Sequence, residues 1–447
     1  MAIILPEGIY PSQQKGVEVL HEALLTYLAT DNFDEPTVVN IKGGAGAGKS
    51  WTTVNALIPT VISTVDDHMK NGQGSKFYGS ICMTTTTHQA NSVIAKELAN
   101  AGVTSIDVST IHSFLSIVPW TGSCTSNPPK FKDCGYKLQE TVPSGAKGIV
   151  FVDEAFRICP NLWAIMQYLY PNYLWICTYD PYQTPPVGFN SSPIDDLDVP
   201  EATFTESPRF INSGELAKLV TALRITVSDS QHDYMNTFSK FANKAYTLTS
   251  AKEYGSIIRT AIANQEPLPE DYLMVCGTRK QAANYNNAIH RIRRDSGQDI
   301  FMKGDPVTVE YVIGSQDPPI VQLLRRERKF LADFTPFDAK GAGKNQDIFK
   351  LFHRVYRYKE SNTYIIPLFS ANEKPPFKLY RECAQRGIIL IGIRLNFART
   401  VHTAQGMTVP NVFIDINSIC AWSNHDMRRR LLYTGASRCS GTLKVIE

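Results

Sequence analysis

The sequence predicts an α/β protein built from parallel sheets with helices on both faces. Short apolar runs rich in β-branched residues recur along the chain, and helical patterns lie between most of them. Strands that alternate with helices favour parallel sheets, because each crossover places a helix on a face of the sheet. The chain has 447 residues, more than one ordinary core holds, so we expect several domains. The runs that we interpret as strands are Thr37–Ile41, Ile81–Thr84, Gly148–Val152, Leu174–Cys177, Leu273–Cys276 and Ile388–Ile393.

Composition and charge narrow the class of protein. Lys and Arg number 45 and Asp and Glu number 42, so the net charge of +3 gives no strong argument for a polyanionic partner. No apolar run is long enough to span a membrane, and the N-terminus lacks the basic segment of a signal peptide. The nine cysteines form no C-x-x-C pair and are expected to be reduced thiols. We therefore expect a cytoplasmic protein without a membrane partner.

A glycine-rich turn follows the first predicted strand, after an amphipathic helix expected over residues 11–30. It reads GGAGAGKS, which fits G-x-x-x-x-G-K-S between a strand and a helix. Glycine tolerates positive φ, so such a backbone can curl with its N–H groups inward and form a pocket for phosphate oxygens. The lysine then reaches the β- and γ-phosphates and the serine ligates Mg²⁺. The sequence thus predicts binding of a nucleoside triphosphate and Mg²⁺ by Gly43, Gly44, Ala45, Gly46, Ala47, Gly48, Lys49 and Ser50.

The strand predicted at Gly148–Val152 ends in two acidic residues. Asp153 can hold Mg²⁺ together with Ser50. Glu154 can orient and deprotonate an attacking water as a general base. Downstream of a phosphate loop, this pair favours hydrolysis of the triphosphate over a solvated turn.

Three further side chains complete the predicted catalytic set. Gln183 follows the strand at Leu174–Cys177 and can sense the γ-phosphate. Arg209 and Arg438 lie far from the phosphate loop in sequence, and arginines so placed can stabilise the charge that develops during phosphoryl transfer.

Three loops combine threonine or serine with histidine. Hydroxyl groups donate to phosphate oxygens and imidazole can stack on a base, so these loops are candidate contacts to nucleic acid. Basic runs at residues 279–294 and 323–330 support this interpretation. The candidate contacts are Thr87, His88, Thr110, His112, Ser113, Thr400, His402 and Thr403.

Two segments interrupt the alternation of strands and helices. Residues 118–145 are rich in Pro, Gly, Ser and Lys, and residues 301–384 combine an edge-strand pattern with an aromatic-rich stretch. Both are interpreted as insertions into larger α/β units.

The order of the motifs resembles that of superfamily 1 helicases. GGAGAGKS, TTTTHQA, TIHSF, VDEA, DPYQTPPVG, SPR, RTVHTAQGMTV and LLYTGASR occur in that order and roughly at that spacing. The chain resembles the RecD/Pif1-like branch, and most closely the compact phage helicases of the Dda type. The resemblance runs from PSQQK near the start to the last strand, and residues 301–384 match least well.

The resemblance implies two RecA-like P-loop NTPase domains with ATP between them. Gln14 would read the adenine, Gln405 and Gly406 would complete the γ-phosphate shell, and Arg209 and Arg438 would act as arginine fingers. Trp51 stands directly after the phosphate loop, where a small hydroxyl residue is common.

The domains that the resemblance implies fall in four parts. Residues 1–117 and 146–198 would form the first RecA-like domain, with 118–145 as a wedge in which Trp120 offers a stacking edge. Residues 199–300 and 385–447 would form the second, with 301–384 as an SH3-like or mixed insertion.

The function implied is that of a monomeric, ATP-dependent DNA helicase that moves 5′ to 3′ along single-stranded DNA. Phage enzymes of this kind act in DNA replication and repair, in the host cytoplasm, and can have a replication-protein partner. The residues leave two alternatives open: an RNA helicase of the same superfamily, and a nucleic-acid-stimulated ATPase switch without unwinding.

Overall fold

The computed structural model describes residues 3–30, 35–70, 80–119, 136–138, 147–208, 214–229, 231–314, 319–331, 333–338, 343, 345–352, 354–359, 361–370 and 377–447. The chain divides into two compact units, Met1–Ala217 and Lys218–Glu447. None of the helices in the described ranges is both long enough and apolar enough to cross a membrane.

The first unit alternates strands and helices. Its strands are β1 Thr37–Gly43, β2 Ile81–Thr85, β3 Asp107–Thr110, β4 Ile117–Pro119, β5 Tyr136–Leu138, β6 Gly148–Asp153, β7 Tyr173–Tyr179 and β8 Glu201–Phe204. Its helices are α1 Pro11–Ala29, α2 Lys49–Thr52, α3 Ile58–Lys70, α4 His88–Asn100, α5 Ile111–Phe114, α6 Pro160–Leu169 and the start of α7 Gly214–Ser228. A π-helical turn, Thr53–Leu57, joins α2 to α3, and a short 3₁₀ helix, Ala155–Arg157, follows β6.

Six of these strands form one parallel sheet in the order β3-β2-β6-β7-β1-β8. Successive residues of β6 point to opposite faces, so Phe151 packs into one apolar cluster while Val150 and Val152 pack into another. A sheet covered on both faces needs strands that are apolar throughout, which is why β6 and β7 read as continuous apolar runs.

The second unit contains two sheets. Its strands are β9 Tyr246–Thr249, β10 Tyr272–Cys276, β11 Val307–Ile313, β12 Phe334–Pro336, β13 Tyr356–Tyr358, β14 Thr363–Pro367, β15 Ile389–Leu395, β16 Ala398–Thr400, β17 Val409–Asp415 and β18 Cys439–Ile446. Its helices, after the end of α7, are α8 Tyr234–Ser239, α9 Ala251–Ala263, α10 Arg279–Asp295, α11 Pro319–Glu327, α12 Gln346–Phe349, α13 Phe377–Arg386, α14 Ile416–Cys420 and α15 His425–Ala436.

The larger sheet of this unit is parallel, in the order β16-β10-β17-β18-β9. The other is mixed, in the order β11-β15-β14-β13-β12, with only β14 and β15 parallel. Two α/β units with parallel main sheets confirm the predicted fold class and fit two RecA-like domains. Of the two forms predicted for the later insertion, SH3-like or mixed, the described strands form a mixed sheet.

Three predicted boundaries differ from the structure. The run Ile388–Ile393 was expected in a parallel core sheet, but β15 pairs antiparallel with β11 in the mixed sheet. The insertion predicted to end at residue 384 therefore continues to Leu395. The second domain was predicted from residue 199, but β8 pairs with β1 and the first unit extends to Ala217. An apolar run shows that a strand is buried but not which sheet it joins. These boundaries therefore depend on which strands pair with each other.

The predicted wedge is described only in part. β4 and β5 pair antiparallel, with Ile117 opposite Leu138. The rest of the segment, including Trp120, lies outside the described residues.

Candidate nucleotide site and nucleic-acid interface

The glycine-rich loop follows β1, which lies between β7 and β8 in the first sheet. Gly46 and Gly48 have left-handed φ angles of 77° and 76°, which glycine adopts without steric cost. A Cβ on Gly48 would also lie 2.7 Å from Nε2 of Gln13. The loop therefore has the tight left-handed turns that a phosphate cradle requires, and a side chain at Gly48 would also displace the amide of Gln13.

Lys49 contacts the loop that precedes it. Its Nζ donates to the carbonyl oxygens of Gly43 at 2.7 Å and Gly44 at 3.1 Å. Gly48 is the N-cap of the helix that begins at Lys49, with Ser50 in its first turn. The ammonium and the positive end of the helix together make this loop an anion site. Trp51, in the same turn, is 41% exposed.

Gln13 is a contact of the loop that the sequence argument missed. It is buried, its Nε2 donates to the carbonyl of Ala47 at 2.9 Å, and its Oε1 accepts from the backbone N–H of Tyr10 at 3.1 Å. Gln14, the predicted adenine contact, is exposed and donates to Glu18. A glutamine at the third position of a helix reaches back to the N-cap, and that capping signal could have identified Gln13.

Asp153 ends β6 beside Thr85 of β2 and Thr178 of β7. It is 7% exposed, and its Oδ1 accepts from Oγ1 of Thr178 at 2.8 Å. Burial, and secondly the charge of Glu154, raise the pKa of Asp153 to about 6, against the opposing effects of Thr178 and Lys49. A cation beside this carboxylate would offset its lost solvation, so the environment suits a metal ligand.

Glu154 has a left-handed backbone with φ of 57°. For a residue other than glycine this conformation costs roughly 1–2 kcal/mol, and such strain is concentrated at functional sites. The residue is the N-cap of the short helix Ala155–Arg157. The predicted general base therefore lies at a strained position, directly after the end of β6.

Gln183 is positioned by Asp180, which follows β7. The fully buried Asp180 accepts from Nε2 of Gln183 at 3.1 Å through Oδ2 and from the backbone N–H of Tyr182 at 3.0 Å through Oδ1. Asp180 is therefore a positioning residue for the predicted γ-phosphate sensor, which is 3% exposed.

The residues at these strand ends fit a nucleotide with Mg²⁺. The glycines allow the loop to pack closely against Gln13 and Phe204, and Ser50 and Asp153 would supply the oxygen ligands that Mg²⁺ prefers. Among the described residues no group of three or more His, Cys, Asp or Glu could hold a metal on its own. Phosphate oxygens and water would therefore complete the metal's coordination, as in other phosphate-loop enzymes.

Two of the threonine–histidine loops have the same local geometry, one in each unit. In the first, Oγ1 of Thr110 accepts from the backbone N–H of Ser113 at 3.2 Å and lies 2.9 Å from Oγ of Ser113. In the second, Oγ1 of Thr400 accepts from the N–H of Thr403 at 3.3 Å and lies 3.1 Å from its Oγ1. Both buried threonines thus cap a short helix.

Because the two threonines are buried and cap helices, other side chains of these loops are more accessible to nucleic acid. Ser113 and Thr403 are exposed, and the histidines between cap and hydroxyl, His112 and His402, are partly exposed. The His402 ring lies 6.1 Å from the ring of Trp422.

The third loop also uses its threonine as a cap. Oγ1 of Thr87 accepts from the N–H of Ala90 at 3.2 Å at the start of α4. The predicted role of Thr87 at a phosphate therefore coexists with a structural one. The side chain of His88 lies outside the described part of the chain.

The predicted γ-phosphate residues of the second unit lie close together in sequence and structure. Gly406 has a left-handed φ of 75° and follows the buried Gln405. Arg438 is 3% exposed. Its guanidinium donates to the carbonyl oxygens of Thr434 at 3.1 Å and Met407 at 3.4 Å, so the arginine is linked to the loop that carries Gln405. Arg209, the other predicted finger, lies outside the described residues.

Comparison with known sequences identifies two domains. The UvrD-like helicase C-terminal domain matches residues 396–446, and an AAA domain matches residues 28–189. The predicted resemblance to superfamily 1 helicases is confirmed. Both matched regions contain predicted site residues: the phosphate loop through Gln183 in the first, and Thr400 through Arg438 in the second. The search of curated proteins gave no match.

Solved structures with a similar chain course include several helicases. Pif1 helicase from Candida albicans is 15% identical, with 98% of this chain and 95% of that chain covered and a TM-score of 0.47. Bacteroides Pif1 bound to ssDNA is 12% identical, with 96% and 91% covered and a TM-score of 0.44. Bacteroides Pif1 in complex with ADP-AlF3 and ssDNA is 12% identical, with 95% and 91% covered and a TM-score of 0.39. Similarity at this level assigns neither a branch of the superfamily nor a substrate.

Proposed function

We propose that this protein is an ATP-dependent helicase of the RecD/Pif1-like branch that moves 5′ to 3′ along single-stranded DNA and unwinds duplex ahead of it. The observation that carries the proposal is the meeting of the phosphate loop, Asp153 and Gln183 at neighbouring strand ends of one parallel sheet, in a chain that also has a helicase C-terminal domain.

In this proposal the first unit performs the hydrolysis. Lys49 and the loop amides bind the phosphates, while Ser50 and Asp153 hold Mg²⁺, which when bound would neutralise charge on the phosphates. Glu154 takes the proton from the attacking water. Gln183, held by Asp180, reports the presence of the γ-phosphate, and Arg209 and Arg438 stabilise the developing charge.

The polymer would contact the exposed members of the threonine–histidine loops, with Trp120 of the wedge at the duplex junction. Hydroxyl and imidazole groups that bind phosphates carry no base preference, so the motor would track any sequence. Translocation then requires that the affinity for the strand differ between nucleotide states.

Parallel ATPase assays test the function directly. Rates would be measured with no polymer, with single-stranded DNA and with single-stranded RNA, and unwinding would be measured on DNA forks with either a 5′ or a 3′ tail. Stimulation by DNA and opening of the 5′-tailed fork are expected. Stimulation by RNA alone would favour the RNA helicase, and stimulation without unwinding would favour the ATPase switch.

A further inference from the structure

A second concave site lies in the second unit, at the carboxyl end of α10. The cavity has a volume of about 840 Å³ and is lined by the last turns of α10, by the loop that follows it, and by Arg354 and Phe369. Ligand pockets of small molecules typically measure about 300–1,000 Å³. None of the predicted catalytic residues or threonine–histidine loop residues lines it, although part of the basic run at residues 279–294 does.

His290 supplies the most informative group of this pocket. It is 6% exposed, and neither Nδ1 nor Nε2 makes a hydrogen bond of ordinary geometry. The backbone of Ile300, whose carbonyl accepts from Arg293 at 2.9 Å, is close enough to oppose the fall of the His290 pKa. Its ring lies edge-on to Phe369, with the centroids 5.1 Å apart. Burial, and secondly the positive charge of Arg293, lower the pKa of His290 to about 3. The neutral ring therefore presents one N–H donor and one bare nitrogen acceptor.

Gln298 adds a second buried polar atom to the pocket wall. Its Nε2 donates to the carbonyl of Ile262 at 2.7 Å, which fixes the amide, and its Oε1 is buried without a partner. Leaving such groups unpaired in a buried place is unfavourable. Both atoms are closed to solvent, so a ligand would reach them once the side chains turn toward the cavity. A ligand that offers both a donor and an acceptor would then satisfy His290 and Gln298 together, and the edge of a nucleobase does so.

Positive charge surrounds the opening of the same pocket. Arg291, Arg294 and Arg354 line it, and Asp299, which forms an ion pair with Arg354, is the one acidic residue in the lining that the structure describes. Arg294 also forms an ion pair, with its neighbour Asp295 outside the lining. The three arginines exceed the two carboxylates by one charge, so the rim favours an anion. Arginine is also the side chain best suited to bind a phosphate in two places.

We propose that this pocket binds a nucleoside 5′-phosphate, with the base edge at His290 and Gln298 and the phosphate at the arginines. The ligand is either a free nucleotide or one nucleotide of a strand, which share this chemistry. The pocket belongs to the second unit, and the phosphate loop belongs to the first.

The first experiment uses the full chain with Lys49→Ala, which weakens the phosphate-loop site. Binding of AMP and of inorganic phosphate would be measured by titration calorimetry. One site for AMP is expected, with an affinity that His290→Phe and Arg291→Gln each reduce at least about tenfold, the scale of a lost hydrogen bond to a charged or buried group. Arg259→Gln, an exposed arginine of α9 outside the pocket, is the matched control and should bind as the parent does.

A second experiment identifies the source of the nucleotide. Single-stranded DNA carrying 5-iodouracil would be cross-linked to the chain, and the linked peptides mapped by mass spectrometry. Cross-links at Phe369 or within residues 287–300 that AMP displaces indicate a strand, whereas AMP binding without such cross-links indicates a free nucleotide.

Two results would overturn the proposal. One is an AMP affinity that His290→Phe and Arg291→Gln leave unchanged. The other is inorganic phosphate binding as tightly as AMP, since the base would then contribute nothing. Arg291 is exposed, so its variant is expected to fold even where the His290 variant does not. Because the Lys49→Ala background measures binding alone, failure here leaves the helicase proposal intact.

Discussion

The side-chain amide of Gln13 donates to the carbonyl of Ala47, 2.9 Å away, and so joins the first helix to the phosphate loop. Gln13→Leu would leave that carbonyl and the N–H of Tyr10 without partners in a buried place. We expect a loss of stability of about 1–3 kcal/mol and a rise in the KM for ATP that exceeds any fall in kcat. Thermal unfolding and steady-state ATPase assays measure both effects.

Gln14→Leu is the matched control for that variant, because Gln14 is exposed. Its Tm should stay at the wild-type value, while the preference for ATP over GTP should weaken if Gln14 reads the adenine. A Gln13→Leu variant with unchanged Tm and KM would show that the contact with Ala47 does not support the loop.

Glu154→Gln should bind nucleotide and polymer normally yet lose turnover by about 10²–10⁴-fold, the contribution of a positioned general base. The amide keeps the shape of the side chain and the backbone conformation but cannot accept the proton. Single-turnover hydrolysis and a nucleotide-binding titration separate the two properties. Glu7→Gln, the same change at an exposed site of the first unit, should hydrolyse ATP normally; near-normal turnover in Glu154→Gln would remove Glu154 from the mechanism.

Arg438→Ala and Arg209→Ala should each lower kcat by roughly 10³-fold with a smaller effect on ATP affinity, as expected for arginine fingers. Arg438 also donates to Thr434 and Met407, so its variant needs a measurement of Tm beside the kinetics. Arg259→Ala provides an exposed arginine control. If both variants hydrolyse ATP at the wild-type rate while remaining folded, neither arginine stabilises the transition state.

The double variant His112→Ala, His402→Ala should lose polymer-stimulated ATPase activity while the basal rate stays nearly intact. Both rings lie in capped loops with exposed hydroxyls, and neither is predicted to touch nucleotide. Loss of contacts to phosphates should weaken binding alike on all sequences and slightly flatten its salt dependence. His232→Ala, an exposed histidine elsewhere, serves as control. An equal fall of basal and stimulated rates would mark the two histidines as structural.

The stability of the protein should depend on pH through His290. The unfolded chain protonates this residue below about pH 6.5, whereas burial holds the folded-state pKa near 3. The stability gained by keeping His290 neutral in the folded state is therefore complete above pH 6.5, and it is lost as the pH falls toward 3. At pH 5 the loss is about 2 kcal/mol.

Denaturant titrations of wild type and His290→Phe between pH 5 and 7.5 measure that contribution. The variant should lose less stability than wild type on acidification, while the exposed His232→Phe control should follow wild type. Parallel pH dependences of wild type and His290→Phe would show that the imidazole ionises as readily in the folded chain as in the unfolded one.

Local patterns predict the elements of the nucleotide site. The spacing of glycines before Lys49 and Ser50, and the acidic pair after an apolar strand, determine backbone shape and donor type within a few residues of each other. The alternation of strands and helices likewise led to parallel sheets, because a crossover helix must cover a sheet face. The domain matches at residues 28–189 and 396–446 agree with these inferences.

By itself, then, the sequence determined the fold class and the phosphate-loop motif, both of which follow from short-range spacing and periodicity. Tertiary structure alone decided that β15 joins the mixed sheet and that the side chain of Gln13 donates to Ala47 of the phosphate loop. Tertiary structure also decided that His290 is buried beside Phe369, a residue distant from it in sequence. The reason is physical: periodicity encodes whether a residue is buried, but its partners are chosen by packing between segments that are distant in sequence.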